Sequence, residues 1–189
     1  MGFAPTTSLG NTDIGGVMPR KLPETLTEEE FIEVIKKTNQ QHHKLAFSLA
    51  FYEGMRISEC LNLNKDNIDF NQRLIRIKEG KGKKDRNIPI LPEFYSSLKK
   101  SMELLPIKCG ERSLQIAFKK ALLRAGISRN LHFHNLRHSC ATWLLNKKRW
   151  DVRHVQQYLG HSRLDTTQIY TIVSPQTLLD LAWNPNKIQ

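Results

Sequence analysis

Residues 67–90, NIDFNQRLIRIKEGKGKKDRNIPI, decide the fold class. Asn67-Ile68-Asp69-Phe70 and the run from Arg73 to Lys78 are short, rich in β-branched residues and separated by Asn71-Gln72. They read as strand, turn, strand. A glycine–lysine loop follows from Glu79 to Asp85, and Arg86-Asn87-Ile88-Pro89-Ile90 forms a third short strand. Pro89 has no N–H to give a ladder, so it suits an edge position. The expectation is a small antiparallel sheet.

Outward from this segment the pattern is helical on both sides. Thr27-Glu28-Glu29-Glu30 is a capping box, with Thr27 as N-cap and Glu30 reaching back. Phe31, Ile32, Val34 and Ile35 supply the apolar face of a first helix. Lys44 to Tyr52 is strongly apolar and predicts a buried helix ending at Gly54, with a short helix from about Ile57 to Leu61. Beyond the strands, helices are expected near 92–103, 111–125, 135–146, 151–158, 164–172 and 175–183. Ser174-Pro175 is a good N-cap and N1 pair for the last of them. The fold class is mainly α with a small antiparallel β-sheet (α+β). Residues 1–20, rich in Gly, Thr, Pro and Asn, read as a flexible tail or linker, and residues 21–189 as one domain.

The 189 residues are 39% hydrophobic and 25% charged, with a formal net charge of +11. That surplus repels itself in a compact fold, so a polyanionic partner is the natural inference, nucleic acid first. The basic residues are scattered, and no polybasic block sits beside an apolar anchor, which argues against a membrane partner. No apolar run reaches membrane-spanning length. Three cysteines, Cys60, Cys109 and Cys140, do not describe a disulfide framework; reduced thiols in the cytoplasm are the simpler reading.

Three patches carry chemistry. They are Gly54-Met55-Arg56-Ile57-Ser58-Glu59, then Gly80-Lys81-Gly82-Lys83-Lys84-Asp85-Arg86, and then the stretch from His134 to Tyr170. His134 and Arg137 are three apart at the start of a predicted helix, so both can face one target. Arg56 follows a glycine, and Gly160 sets His161 at a helix boundary. If these groups converge, the site holds two guanidiniums, two imidazoles and a phenol. It has no carboxylate cluster, so a two-metal nuclease is not supported. Paired arginines suit a phosphate, because the planar fork binds two oxygens at once. His134 and His138 share a helical His-x-x-x-His spacing, but Asn135 stands where a zinc protease has its glutamate, and Arg137 would repel a dication. No metal is expected. His138 reads as a helix-packing group, and His42, His43, His132 and His154 as surface or linker groups.

Taken in order, these patches resemble the tyrosine recombinase signature shared by the lambda-integrase, Cre and Xer groups, with the Xer type nearest. The resemblance covers roughly residues 21–182. By position it implies catalytic roles for Arg56, Lys81, His134, Arg137, His161 and Tyr170, with Glu59 supporting Arg56. It implies attack by Tyr170 on a DNA phosphodiester and a 3′-phosphotyrosine intermediate, with His134 as the base and Lys81 as the acid. No metal or nucleotide cofactor is required. Lys83, Lys84 and Arg86 are expected to contact DNA phosphates. Implied partners are double-stranded DNA and three further copies of the chain in a tetramer on it, the chain alone being compatible with a monomer. The last helix, 175–183, resembles a segment that docks on a neighbouring protomer in relatives. Relatives also carry a separate N-terminal DNA-clamping domain; this sequence starts almost directly at the catalytic domain and is read as either an excised fragment or a naturally short member. Two other readings stay open: a silent DNA-binding regulator on the same scaffold, and a type IB topoisomerase.

Overall fold

The computed structural model describes residues 24–78, 85–160 and 175–184. Helix α1 (Glu28–Lys36) begins at the expected capping box: Thr27 Oγ1 accepts from Glu30 N at 3.2 Å and Glu30 Oε2 accepts from Thr27 N at 2.9 Å. Helix α2 (Gln41–Tyr52) is the centre of the core. Leu45, Ala46, Phe47, Leu49, Ala50 and Phe51 are all buried along it. Phe51 stacks on Phe31 at 4.0 Å between ring centroids. Helix α3 (Ile57–Asn62) follows two residues after Gly54, whose φ of +60° turns the chain between them.

The sheet has strands β1 (Ile68–Asp69), β2 (Leu74–Ile77) and β3 (Arg86–Pro89), antiparallel in that order. Ile75 pairs with both Ile68 and Ile88, and Leu74 pairs with Pro89, so the proline does sit on an edge strand. Ile75, Ile77, Ile88 and Ile90 alternate onto the buried face. Helix α4 (Pro92–Lys100) ends earlier than the sequence pattern suggests; a separate 3-10 turn, Met102–Leu104, completes that segment. Helices α5 (Glu111–Arg124), α6 (Phe133–Asn146), α7 (Val152–Leu159) and α8 (Pro175–Trp183) complete the described residues.

Helix α6 starts two residues before the expected boundary, which puts His134 in its first turn. Trp143, Leu144, Val155, Tyr158 and Leu159 are buried in the core, and Leu145 is partly so. His43 departs from its expected surface position. It is 7% exposed and faces the Phe47 ring, because α2 is enclosed on nearly every side and shows no solvent face at that position. Helix α8 lies on β3 of its own chain: Trp183 Nε1 donates to Ile90 O at 2.9 Å, and Arg73 sits 4.0 Å above the Trp183 ring. The helix expected near 164–172 lies outside the described residues. No helix among the described residues is long and apolar enough to cross a membrane.

Candidate active site

The site is assembled where three chain segments meet: the turn between α2 and α3, the start of α6, and the C-terminal end of α7. Arg56 occupies the N-cap position of α3. Glu59, one turn on, accepts from the Arg56 backbone N at 2.8 Å and from Arg56 Nη1 at 2.6 Å. These two bonds hold Glu59 directly against Arg56. Arg56 Nη2 then reaches across 104 positions to donate to Gly160 O at 3.2 Å.

Arg137 lies deeper, at 3% exposure. Its Nη1 donates to Gly54 O at 2.6 Å, and its Nη2 donates to Leu159 O. The two guanidiniums therefore hold consecutive carbonyls, Leu159 O and Gly160 O, at the last turn of α7. Those carbonyls have no intrahelical partners, and the helix dipole makes that end negative. Burial, and then the neighbouring Arg56 charge, push Arg137 down to about 10, which still leaves it cationic at neutral pH.

Gly160 closes α7 in the left-handed conformation, φ +69°. Arg86 lies directly on it: a Cβ at Gly160 would come within 2.8 Å of Arg86 Cδ and Nε. Arg86, which was expected to contact DNA phosphates, is engaged within the protein. Its Nη1 and Nη2 donate to the two oxygens of Glu59, each at 3.0 Å, and its side chain is only 12% exposed. The pairing crosses 27 positions and turns Arg86 inward. Burial alone would raise the Glu59 carboxyl, but hydrogen bonding and charge from Arg86, and then Arg56, hold it below the usual carboxylate range.

His134 stands at the open edge of this cluster, its ring edge-on to His138 at 4.7 Å. Partial burial, then His138, Arg137 and Arg56, all push its pKa below the ordinary imidazole value, which favours the neutral form. His138, lowered by burial and Arg137, is the packing partner that the sequence suggests. No group of three or more His, Cys, Asp or Glu side chains among the described residues could hold a metal ion.

Lys81, Lys83, Lys84, His161 and Tyr170 lie outside the described residues. Their attachment points are described. The chain enters His161 directly from Gly160, and the lysine loop joins β2 to Arg86. The other three tyrosines of the chain are poor nucleophiles or already engaged. Burial and Glu28 raise Tyr52 to about 12, burial and Glu53 raise Tyr158 far above its ordinary value, and the Tyr95 hydroxyl donates to Phe70 O at 3.2 Å.

The sequence reading missed two features. One is a groove of about 740 Å³ beside Arg56 and His134, bordered by Arg112, Gln115 and Lys119 of α5. These three lie at i, i+3 and i+7 on one exposed face, a periodic signal that was present in the sequence. The other is Glu53, fully buried, whose Oε2 accepts from Tyr158 Oη at 2.5 Å and whose Oε1 accepts from Leu91 N at 3.0 Å. Burial raises the Glu53 carboxyl to about 7 despite those two hydrogen bonds, which lower it; Glu93 adds a smaller upward push. The folded-state value thus exceeds the ordinary 4.5, so the stability linked to this group is complete below 4.5 and lost as pH rises through about 7. Glu53→Gln does not ionise. Its melting temperature relative to wild type should climb over that interval and then level off, and a difference independent of pH would contradict the assignment.

Residues 24–177 match the phage integrase family. A tyrosine recombinase of Thermosipho africanus is 37% identical over 174 residues, covering 85% of this chain and 61% of that protein. The chain thus spans about three fifths of the length of that relative. The crystal structure of XerA recombinase superposes with a TM-score of 0.66 at 27% identity, over 86% of this chain and 65% of that one. The XerH site-specific recombinase bound to palindromic difH substrate, a post-cleavage complex, superposes with a TM-score of 0.63 at 28% identity, over 80% and 51%. These likenesses agree with the Xer-type resemblance of the motifs and with the mainly helical α+β class. The chain belongs to the phage integrase family, the tyrosine recombinases.

Proposed function

We propose that this chain is the catalytic part of a site-specific recombinase that cleaves and rejoins double-stranded DNA through a covalent link to Tyr170. The observation that carries this reading is the pair of guanidiniums, Arg56 and Arg137, held on consecutive carbonyls at the end of α7, with His134 lining the same groove as Arg56. Such a cluster is suited to the charge that builds on phosphoryl oxygens during transfer.

In this reading the phenol oxygen of Tyr170 attacks phosphorus, and the bond to the 5′-oxygen breaks. His134 takes the phenol proton, and Lys81 supplies a proton to the departing 5′-hydroxyl. His161 donates to a non-bridging oxygen. Two attachments support these roles. His161 follows Gly160, whose carbonyl Arg56 holds. Lys81 lies five positions before Arg86, which is anchored on Glu59, so the loop springs from the site itself. Rejoining reverses the steps and exchanges one phosphodiester for another, so neither metal nor nucleotide is required.

The groove beside α5, with Arg112 and Lys119, and the loop residues Lys83 and Lys84 would take up flanking phosphates. Recombination between two duplexes calls for four copies on DNA. The place of action is the cytoplasm, at the nucleoid.

The test begins with duplexes selected from a random library for binding to this chain. A nick placed next to the scissile phosphate lets the freed end diffuse away and traps the intermediate. A denaturant-resistant adduct mapped to Tyr170 by peptide analysis is the expected result. Absence of an adduct on every selected duplex, or attachment at Tyr52, Tyr95 or Tyr158, would overturn the proposal.

A further inference from the structure

The most expensive unexplained feature of the molecule is the carboxyl of Glu53, which has no exposure to solvent. It is also placed one residue before Gly54, whose carbonyl holds Arg137 Nη1. Its partner, Tyr158, is placed one residue before Leu159, whose carbonyl holds Arg137 Nη2. The two backbone segments that grip the arginine are therefore cross-linked, one residue upstream on each side, by a single short hydrogen bond.

The same two segments also touch through side chains. A Cβ at Gly54 would lie 2.2 Å from Leu159 Cδ2, so the chains approach each other as closely as glycine allows. The second oxygen of Glu53 is tied to Leu91 N at the start of α4, which fixes the carboxylate from the sheet side. The Tyr158 ring is braced edge-on by Trp150 at 5.4 Å. A buried polar pair is a poor way to gain stability, because apolar side chains of like volume do as well or better. It is a good way to specify one geometry.

We propose that Glu53 and Tyr158 are positioning residues for Arg137: their hydrogen bond sets the separation of Gly54 O and Leu159 O, and so the plane in which the Arg137 guanidinium is held. Neither touches DNA. The pair acts through the arginine alone, and its effect on cleavage rests on the recombinase reading above. Loosening the clamp lets the guanidinium rotate away from the orientation that serves the phosphoryl oxygens, and small misplacements of a reacting group are costly in rate.

The test compares Tyr158→Phe with Tyr95→Phe. Each loses one phenol hydroxyl, but the Tyr95 hydroxyl bonds Phe70 O and lies outside the clamp. Two readouts are taken well below both melting temperatures. The first is single-turnover adduct formation at saturating protein, alongside the dissociation constant for the same duplex. The second is the ¹⁵N spectrum of the Arg137 guanidinium, whose Nη signals are resolved while hydrogen bonds lock the group, assigned by their loss in Arg137→Lys.

Tyr158→Phe is expected to slow adduct formation by about 10- to 100-fold, to leave the dissociation constant within about twofold, and to merge the Arg137 Nη signals. Tyr95→Phe should change none of these. Glu53→Gln retains an amide partner for the phenol and should fall between Tyr158→Phe and wild type. It also serves in place of Tyr158→Phe if that variant does not fold. Adduct formation by Tyr158→Phe at the wild-type rate, or Arg137 signals that stay resolved, would overturn the clamp. A wild type that never forms an adduct would defeat the recombinase reading instead, and the Arg137 spectrum would still decide the clamp.

Discussion

Arg137→Ala is expected to reduce single-turnover cleavage of a nicked target duplex by about a thousandfold or more. Loss of one well-placed donor to a developing oxyanion costs about 10²- to 10³-fold, and Arg137 brings a full charge as well as its hydrogen bonds. The substitution also strips the donors from Gly54 O and Leu159 O, both in buried residues. An unsatisfied buried carbonyl costs about 1–3 kcal/mol, so a lower melting temperature should accompany the loss of rate. Arg137→Lys keeps a charge but not the fork, and an ammonium cannot span both carbonyls in the same plane. It should therefore melt above Arg137→Ala and still cleave far more slowly than wild type. Arg137→Ala cleaving within tenfold of wild type would remove this residue from the chemistry.

Gly54→Ala is the second large effect, and it acts on folding. The backbone at Gly54 has φ +60°, which costs an L-residue about 1–2 kcal/mol. The new methyl would fall 2.2 Å from Leu159 Cδ2 and 3.3 Å from Cys140 Sγ, both in the packed core. Relieving such an overlap costs about 1–3 kcal/mol more. A total loss of about 2–5 kcal/mol is expected in denaturant unfolding. Gly126→Ala supplies the control. Its φ is +74°, but nothing lies within 4 Å of the added carbon, so it carries the backbone cost alone. Equal losses in the two variants would show that the contact with Leu159 is not tight.

What could be read in the sequence was local. The capping box at Thr27 and Glu30, the strand–turn–strand pattern around Asn71-Gln72 and the edge position of Pro89 each depend on residues a few positions apart. His134 and Arg137 were legible for the same reason, being one helical turn apart. Arg86 was not. Its partner Glu59 is 27 positions away, and a basic residue at the end of a lysine-rich loop looks the same whether it turns outward or inward. Glu53 and Tyr158 are 105 positions apart, and no periodicity links them. His43 sits in a helix whose apolar residues occupy nearly every side, so there was no polar face from which to judge its exposure. Residues that act across the interface of α2, α6 and α7 become visible only when those elements meet.

The last turn of α7 receives Arg137 and Arg56 on its carbonyls and carries Arg86 on Gly160, with Glu59 alongside. Carbonyl dipoles and one carboxylate thus offset only part of the charge of three guanidiniums, and the centre stays net positive. Cations that neutralise DNA phosphates set free the counterions condensed on the DNA, and that release makes affinity fall with salt. A phosphate seated at this centre therefore adds its own share to the ionic-strength dependence of binding, beside that of the outlying lysines and arginines.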